Sequence, residues 1–114
     1  MAYALPSINE LADIQFIAGT EQELTFLIYT SASATKNITA STCTWEMARY
    51  GSGNSILTKT AVVSGSPING MVVTLTTADT ESLSGKFIHQ PVITDGDTSY
   101  RPSQGIIQIY ARIS

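Results

Sequence analysis

Cys43-Thr44-Trp45-Glu46-Met47-Ala48-Arg49-Tyr50-Gly51 is the stretch that decides the fold class. Cys43, Trp45 and Met47 alternate with Thr44, Glu46 and Ala48. This period of two sends the bulky residues to one side of a strand and the smaller or polar ones to the other. A Gly51-Ser52-Gly53-Asn54 turn follows, and alternation resumes in Ile56-Leu57-Thr58-Lys59-Thr60. The two runs are expected to form a hairpin whose second arm covers Ser55–Val63.

Working outward, Leu24, Phe26 and Ile28 share one face of a strand expected over Glu21–Thr30, with Thr25, Leu27 and Tyr29 on the other. Apolar residues on both faces predict a central strand partly covered on its outer side. Before it, Asp13–Ile17 alternates and is broken by Ala18-Gly19-Thr20. Ser7 and Glu10 have capping-box spacing, so a short helical turn is expected within an N-terminal segment, residues 1–12. Residues 13–114 then form one sandwich domain. Ser31–Ser41 reads as a loop with a brief strand at Asn37-Ile38-Thr39.

Downstream, Asn69-Gly70 fits a type I′ turn. Met71–Thr77 is a strand with Val73 and Leu75 inward, and a helical turn near 78–83 can be capped by Asp79 or Thr77. Gly85–Thr94 points Phe87, His89, Pro91 and Ile93 inward, with Pro91 at a bulge or on an unpaired side because it lacks an N–H. Asp95-Gly96-Asp97 turns the chain, Tyr100–Gln104 is irregular around Pro102, and Gly105–Ile113 is the last strand. About seven or eight strands at spacings near ten residues predict an all-β, immunoglobulin-like antiparallel β-sandwich.

Composition agrees with that class. Charged residues make up 13% of the 114-residue chain, and fifteen Thr and thirteen Ser take their place, suiting strand faces and turns. The formal charge is −3 and the six basic residues are scattered singly, so no stripe exists to neutralise a row of phosphates. Nucleic acid is therefore excluded as a partner. Cys43 is the single cysteine, ruling out an internal disulfide and a cysteine-based metal site. No apolar run is long enough to insert into a membrane. Met1–Pro6 carries neither a basic nor an apolar signal region, so synthesis in the cytoplasm with no signal peptide is expected.

The segments Thr44–Gly51, Ile56–Thr60 and Leu83–Gln90, with Val92-Ile93-Thr94-Asp95, resemble small immunoglobulin-like domains of tailed bacteriophages and prophages. Such domains occur in tail-fibre, baseplate and other virion structural proteins. The shared pattern is a Trp strand ending in Arg and a Gly turn, a Leu-Thr-Lys strand, an Asp-x-x-x-Leu-x-Gly-x-aromatic corner and a strand closing in Thr-Asp. It runs from about Ala18 to Ile113. The chain departs from it at Phe87, where such corners often carry Tyr, and at Pro91, where an aliphatic residue is usual. The resemblance implies a non-enzymatic virion structural module, assembled in the cytoplasm of a bacterial host, with itself or other phage structural proteins as partners. The alternative is a carbohydrate-binding or adhesion module for a host-surface glycan.

No catalytic, cofactor-binding or metal-ligating residue is expected. Asp95-Gly96-Asp97-Thr98 spaces its carboxylates like part of a Ca²⁺ loop, but no closing Glu follows, and a solvated turn is the simpler reading. His89, the one histidine, has no partner at triad or ligand spacing. No Gly-x-Ser-x-Gly elbow, Walker loop or dinucleotide fingerprint occurs. Asn37-Ile38-Thr39 matches a glycosylation acceptor without a secretory route to use it. Tyr29, Tyr50, Tyr100 and Tyr110 are candidates for an aromatic platform, whereas Trp45 belongs to the core by its alternation.

Overall fold

The computed structural model describes residues 9–31, 34–63 and 68–113. Its strands are β1 (Asn9–Glu10), β2 (Ile14–Ile17), β3 (Gln22–Leu27), β4 (Tyr29–Ser31), β5 (Ala34–Thr35), β6 (Thr42–Arg49), β7 (Ser55–Thr60), β8 (Val62–Val63), β9 (Gly70–Leu75), β10 (Gly85–Asp95), β11 (Thr98–Tyr100) and β12 (Ser103–Tyr110), with α1 (Thr77–Thr80) before β10. Alternation in β6 buries Cys43, Trp45 and Met47, and β10 buries Phe87, His89, Pro91 and Ile93 in the same rhythm. The two strands pair antiparallel with Pro91 opposite Trp45, and β12 joins the far side of β10 with Ile107 opposite Phe87.

The larger sheet runs β1-β12-β10-β6-β7, with β2 also on β12 and β11 on β10. Facing it is β3-β9-β8, whose inward residues are Leu24, Phe26, Met71, Val73 and Leu75. The two inner faces bury one hydrophobic cluster between them, which is the immunoglobulin-like β-sandwich. The crossover from β9 to β10 passes through α1, which is held from both sides. Thr80 Oγ1 accepts the Gly19 N–H at 3.0 Å, and Lys59 Nζ bridges to Asp79 Oδ2 at 2.9 Å.

Several local expectations are corrected. The sandwich is not wholly antiparallel, because β1 and β2 both run parallel to β12. That choice also makes β3 an edge rather than a central strand, and Leu27 on its outer face is 51% exposed. Asn9–Glu10 is strand, not helical turn, while Ser7 lies outside the described residues. The expected strand over Glu21–Thr30 is interrupted at Ile28, and Asn37-Ile38-Thr39 is no strand. There Asn37 Oδ1 accepts the Thr39 N–H in a side-chain-closed turn, and Ile38 is buried.

Ser55–Val63 divides at Ala61, whose N–H still bonds the Cys43 carbonyl; Val62 and Val63 then pair with β9 in the other sheet. Gly70 starts β9 without a positive φ, so Asn69-Gly70 is not a type I′ turn. Asn69 is instead buried and donates from Nδ2 to the Ile28 carbonyl. The helical turn is capped at Thr76 rather than at Thr77 or Asp79, with Asp79 Oδ2 accepting the Thr76 N–H at 2.7 Å.

Pro91 meets the unpaired-side expectation. N–H and C=O of one residue point to the same edge of an antiparallel strand and alternate along it. The Lys86 carbonyl accepts the Tyr50 N–H, so even positions of β10 face β6 and odd ones face away. Pairing with β12 ends at His89 and pairing with β11 begins at Ile93. Pro91 occupies the gap, where no N–H is needed.

Candidate functional site

His89 lies at the centre of the core, 1% exposed, and its Nδ1 accepts the Trp45 indole N–H at 3.0 Å. The Phe26 ring from the opposite sheet packs 5.9 Å away between centroids. In immunoglobulin domains a strand-C Trp packs on an inter-sheet disulfide, whose second Cys follows the corner aromatic by two residues. Counting two from Phe87 reaches His89. Here Phe26, His89 and Trp45 pack together between the sheets, with ring centroids 5.9 Å apart at both His89 contacts.

Because Nδ1 is an acceptor, neutral His89 carries its hydrogen on Nε2. Nε2 is buried and has no partner among the described residues. Desolvation in this apolar setting pushes the imidazole pKa down to about 4, so the ring is neutral at physiological pH. Gly105 on β12 makes room for it: a Cβ there would stand 2.6 Å from Leu11 Cβ and 3.0 Å from His89 Nε2.

His89 is among the residues lining a cleft of about 340 Å³ between the sheets, together with Leu11, Ala12 and Ile14 on one side and β3 residues, Leu24 and Phe26 among them, on the other. The Ile28 N–H bonds the Asn69 carbonyl, which sets the parity of β3: even residues face β9 and odd residues face away. Glu23, Thr25 and Leu27 therefore direct their main-chain groups to the free edge, where no described strand pairs with them.

A second surface is the outer face of the larger sheet. Ile106, Ile88 and Ala48 form a half-buried row across β12, β10 and β6. Beside it, a groove of about 180 Å³ runs under the β6–β7 hairpin. Its floor is a polar chain in which Gln104 Nε2 donates to Gln90 Oε1, Gln90 Nε2 to Glu46 Oε2, and Arg101 Nε to the same Glu46 oxygen.

The other residues singled out in the sequence are dispersed. Asp95 pairs with Lys36 Nζ at 2.9 Å and accepts from Ser41 Oγ; those hydrogen bonds, Ser41 first and Lys36 second, hold its carboxyl below the usual range. Gly96 and Asp97 form the two-residue loop of the β10–β11 hairpin, with Gly96 at φ 61°. Among the described residues, no group of three or more His, Cys, Asp or Glu could hold a metal ion. Cys43 is buried, and burial first, then the nearby Asp95 charge, pushes its thiol pKa up.

Tyr29, Tyr50, Tyr100 and Tyr110 sit in different settings. Tyr100 donates its hydroxyl to the Tyr29 carbonyl at 2.8 Å, whereas Tyr50 and Tyr110 are about half exposed, at 55% and 49%. Lys86 Nζ sits 4.5 Å from the Tyr50 ring centroid and covers that face. Sequence reasoning placed His89 inside but missed its bond to Trp45, the role of Gly105 and the free edge of β3. Only the first carried a signal, the two-residue step from Phe87.

No protein-family model matches the chain, and no curated protein matches it. Among solved structures, it is similar to Tim-1 at 13% identity, covering 94% of this chain and 98% of that one, with a TM-score of 0.45.

Proposed function

We propose that this chain is a non-enzymatic structural module of a tailed-phage or prophage virion, acting by protein–protein assembly in a tail, baseplate or fibre. The observation that carries this reading is the open main-chain edge of β3 above an apolar cleft. Unpaired edges are surfaces that proteins either blunt or use, because their N–H and C=O groups template another strand. Exposed Leu27, Val62 and Ile68 add apolar contact area. The sequence resemblance supplies the virion setting. Particles purified after prophage induction test it: peptide mass spectrometry should find the chain in a fixed ratio to the major tail proteins. Recovery only in the free protein fraction would overturn the reading.

The glycan alternative rests on the exposed Tyr50 and Tyr110 rings. Lys86 already occupies one face of Tyr50, which weakens it. Saccharide binding lost in Tyr50→Ala and Tyr110→Ala would restore this reading.

A further inference from the structure

The edge of β3 and the cleft beneath it present three separate unmet demands. Main-chain groups of Glu23, Thr25 and Leu27 face outward with no partner strand among the described residues. The cleft has apolar walls in Leu11, Ile14, Leu24 and Phe26. His89 also lines it, and its Nε2 is a buried donor with no acceptor among the described residues. An orphaned buried donor is destabilising, and an arriving acceptor relieves it. Nε2 faces the Gly105 position, where Leu11, itself a wall of the cleft, also packs.

We propose that β3 receives, in trans, an extended strand from another protein. That strand pairs with Glu23, Thr25 and Leu27, sinks alternate apolar side chains into the cleft, and brings an acceptor to His89. This is strand addition, in which the ladder supplies affinity and the pocket selects every second side chain. The rim adds a charge preference. Glu23 lines the cleft, exposed Asp13 and Glu21 are sequence neighbours of the lining residues Ala12, Ile14 and Gln22, and no Lys or Arg is among the lining residues. The strand accepted is therefore flanked by basic residues. This inference rests on the assembly reading above and names the site through which assembly occurs.

The test uses the full chain, labelled with ¹⁵N, and a synthetic peptide of about eight residues alternating Val and Thr between terminal lysines. Shift changes should be confined to Leu11–Ile14 and Gln22–Leu27, and amide exchange at Glu23, Thr25 and Leu27 should slow by at least about tenfold. Two variants locate the site. Thr25→Pro removes an N–H directed away from β9, so the native ladder keeps its bonds. Ala12→Phe fills the cleft from its exposed lip. Each should weaken peptide binding by at least about tenfold. If Thr25→Pro fails to fold by circular dichroism, Ala12→Phe decides.

No shift change at about 1 mM peptide, a concentration matching a 4 kcal/mol interaction, overturns the proposal. So does equal binding by both variants. Protection of the three amides without peptide also overturns it. Concentration-dependent protection would assign the edge to a second copy, and concentration-independent protection to the chain's own residues. Virion incorporation separates the two readings. A chain that enters particles equally well with Ala12→Phe keeps the assembly role and loses this site. A chain that binds the peptide but never enters particles keeps the site and loses the virion role.

Discussion

Acidification should destabilise this protein through His89 before its carboxylates respond. Burial holds the imidazole at about 4 against an ordinary value of 6.5. Between those values the unfolded chain takes up a proton that the native state refuses. Stability from this group is therefore complete above about pH 6.5 and declines as pH falls toward 4. At about 1.4 kcal/mol per pH unit, the gap is worth roughly 3 kcal/mol in full and about 2.5 kcal/mol by pH 4.5. Total stabilities of domains this size run about 5–15 kcal/mol, so the loss is large.

The cause is local. Protonation puts a hydrogen on Nδ1, where the Trp45 N–H already points, and donor then faces donor. Trp45, Phe26, Leu11 and Gly105, the neighbours of the ring, include no ionisable side chain to offset the charge. Urea titrations at four pH values between 7.5 and 4.5, followed by emission of the single Trp, read the effect at its source. His89→Leu is the control. It should be weaker at pH 7.5 by about 1–3 kcal/mol, since the indole N–H loses its acceptor, yet nearly flat down to pH 4.5. A wild-type chain with constant stability over this range, or a variant that falls in parallel, would refute the argument.

Gly105→Ala should cost about 1–3 kcal/mol in urea unfolding, because its Cβ would stand 2.6 Å from Leu11 Cβ. Trp45→Ala, which empties the centre of the sandwich, should cost about 3–5 kcal/mol and shift the melting temperature accordingly. Lys59→Ala should cost under about 1 kcal/mol, since the pair with Asp79 is partly open to water. Burial raises the Asp79 pKa, but hydrogen bonds from Lys59 and Thr76 outweigh it and leave the carboxyl low. Its contribution is present above the unfolded carboxylate pKa and is lost only below about pH 4, a window distinct from that of His89. Cys43 should react with a thiol reagent far more slowly in the native protein than in urea, because it is buried and its pKa raised.

Period-two alternation determined, from sequence alone, which residues turn inward. Cys43, Trp45 and Met47 on β6, Phe87, His89 and Ile93 on β10, and Val73 and Leu75 on β9 are all buried as the pattern required. Backbone chemistry was equally local at Pro91, whose missing N–H called for an unpaired side, and at the Gly96 hairpin. Alternation names a face but never a neighbour, and there the reading failed. Leu27 and Tyr29 implied a covered strand, yet β1 and β2 attach to β12 and leave β3 at the edge. The same blindness hid the change of sheet at Ala61 and the recruitment of Asn69 to cap Ile28.

The candidate site exists only through such pairings. Its cleft joins residues near positions 11, 25 and 89, and its donor is free because Nδ1, not Nε2, meets the indole. Tertiary structure decided these features because strand partners are chosen by the packing and closure of the whole chain, while side-chain direction follows from one dihedral step to the next.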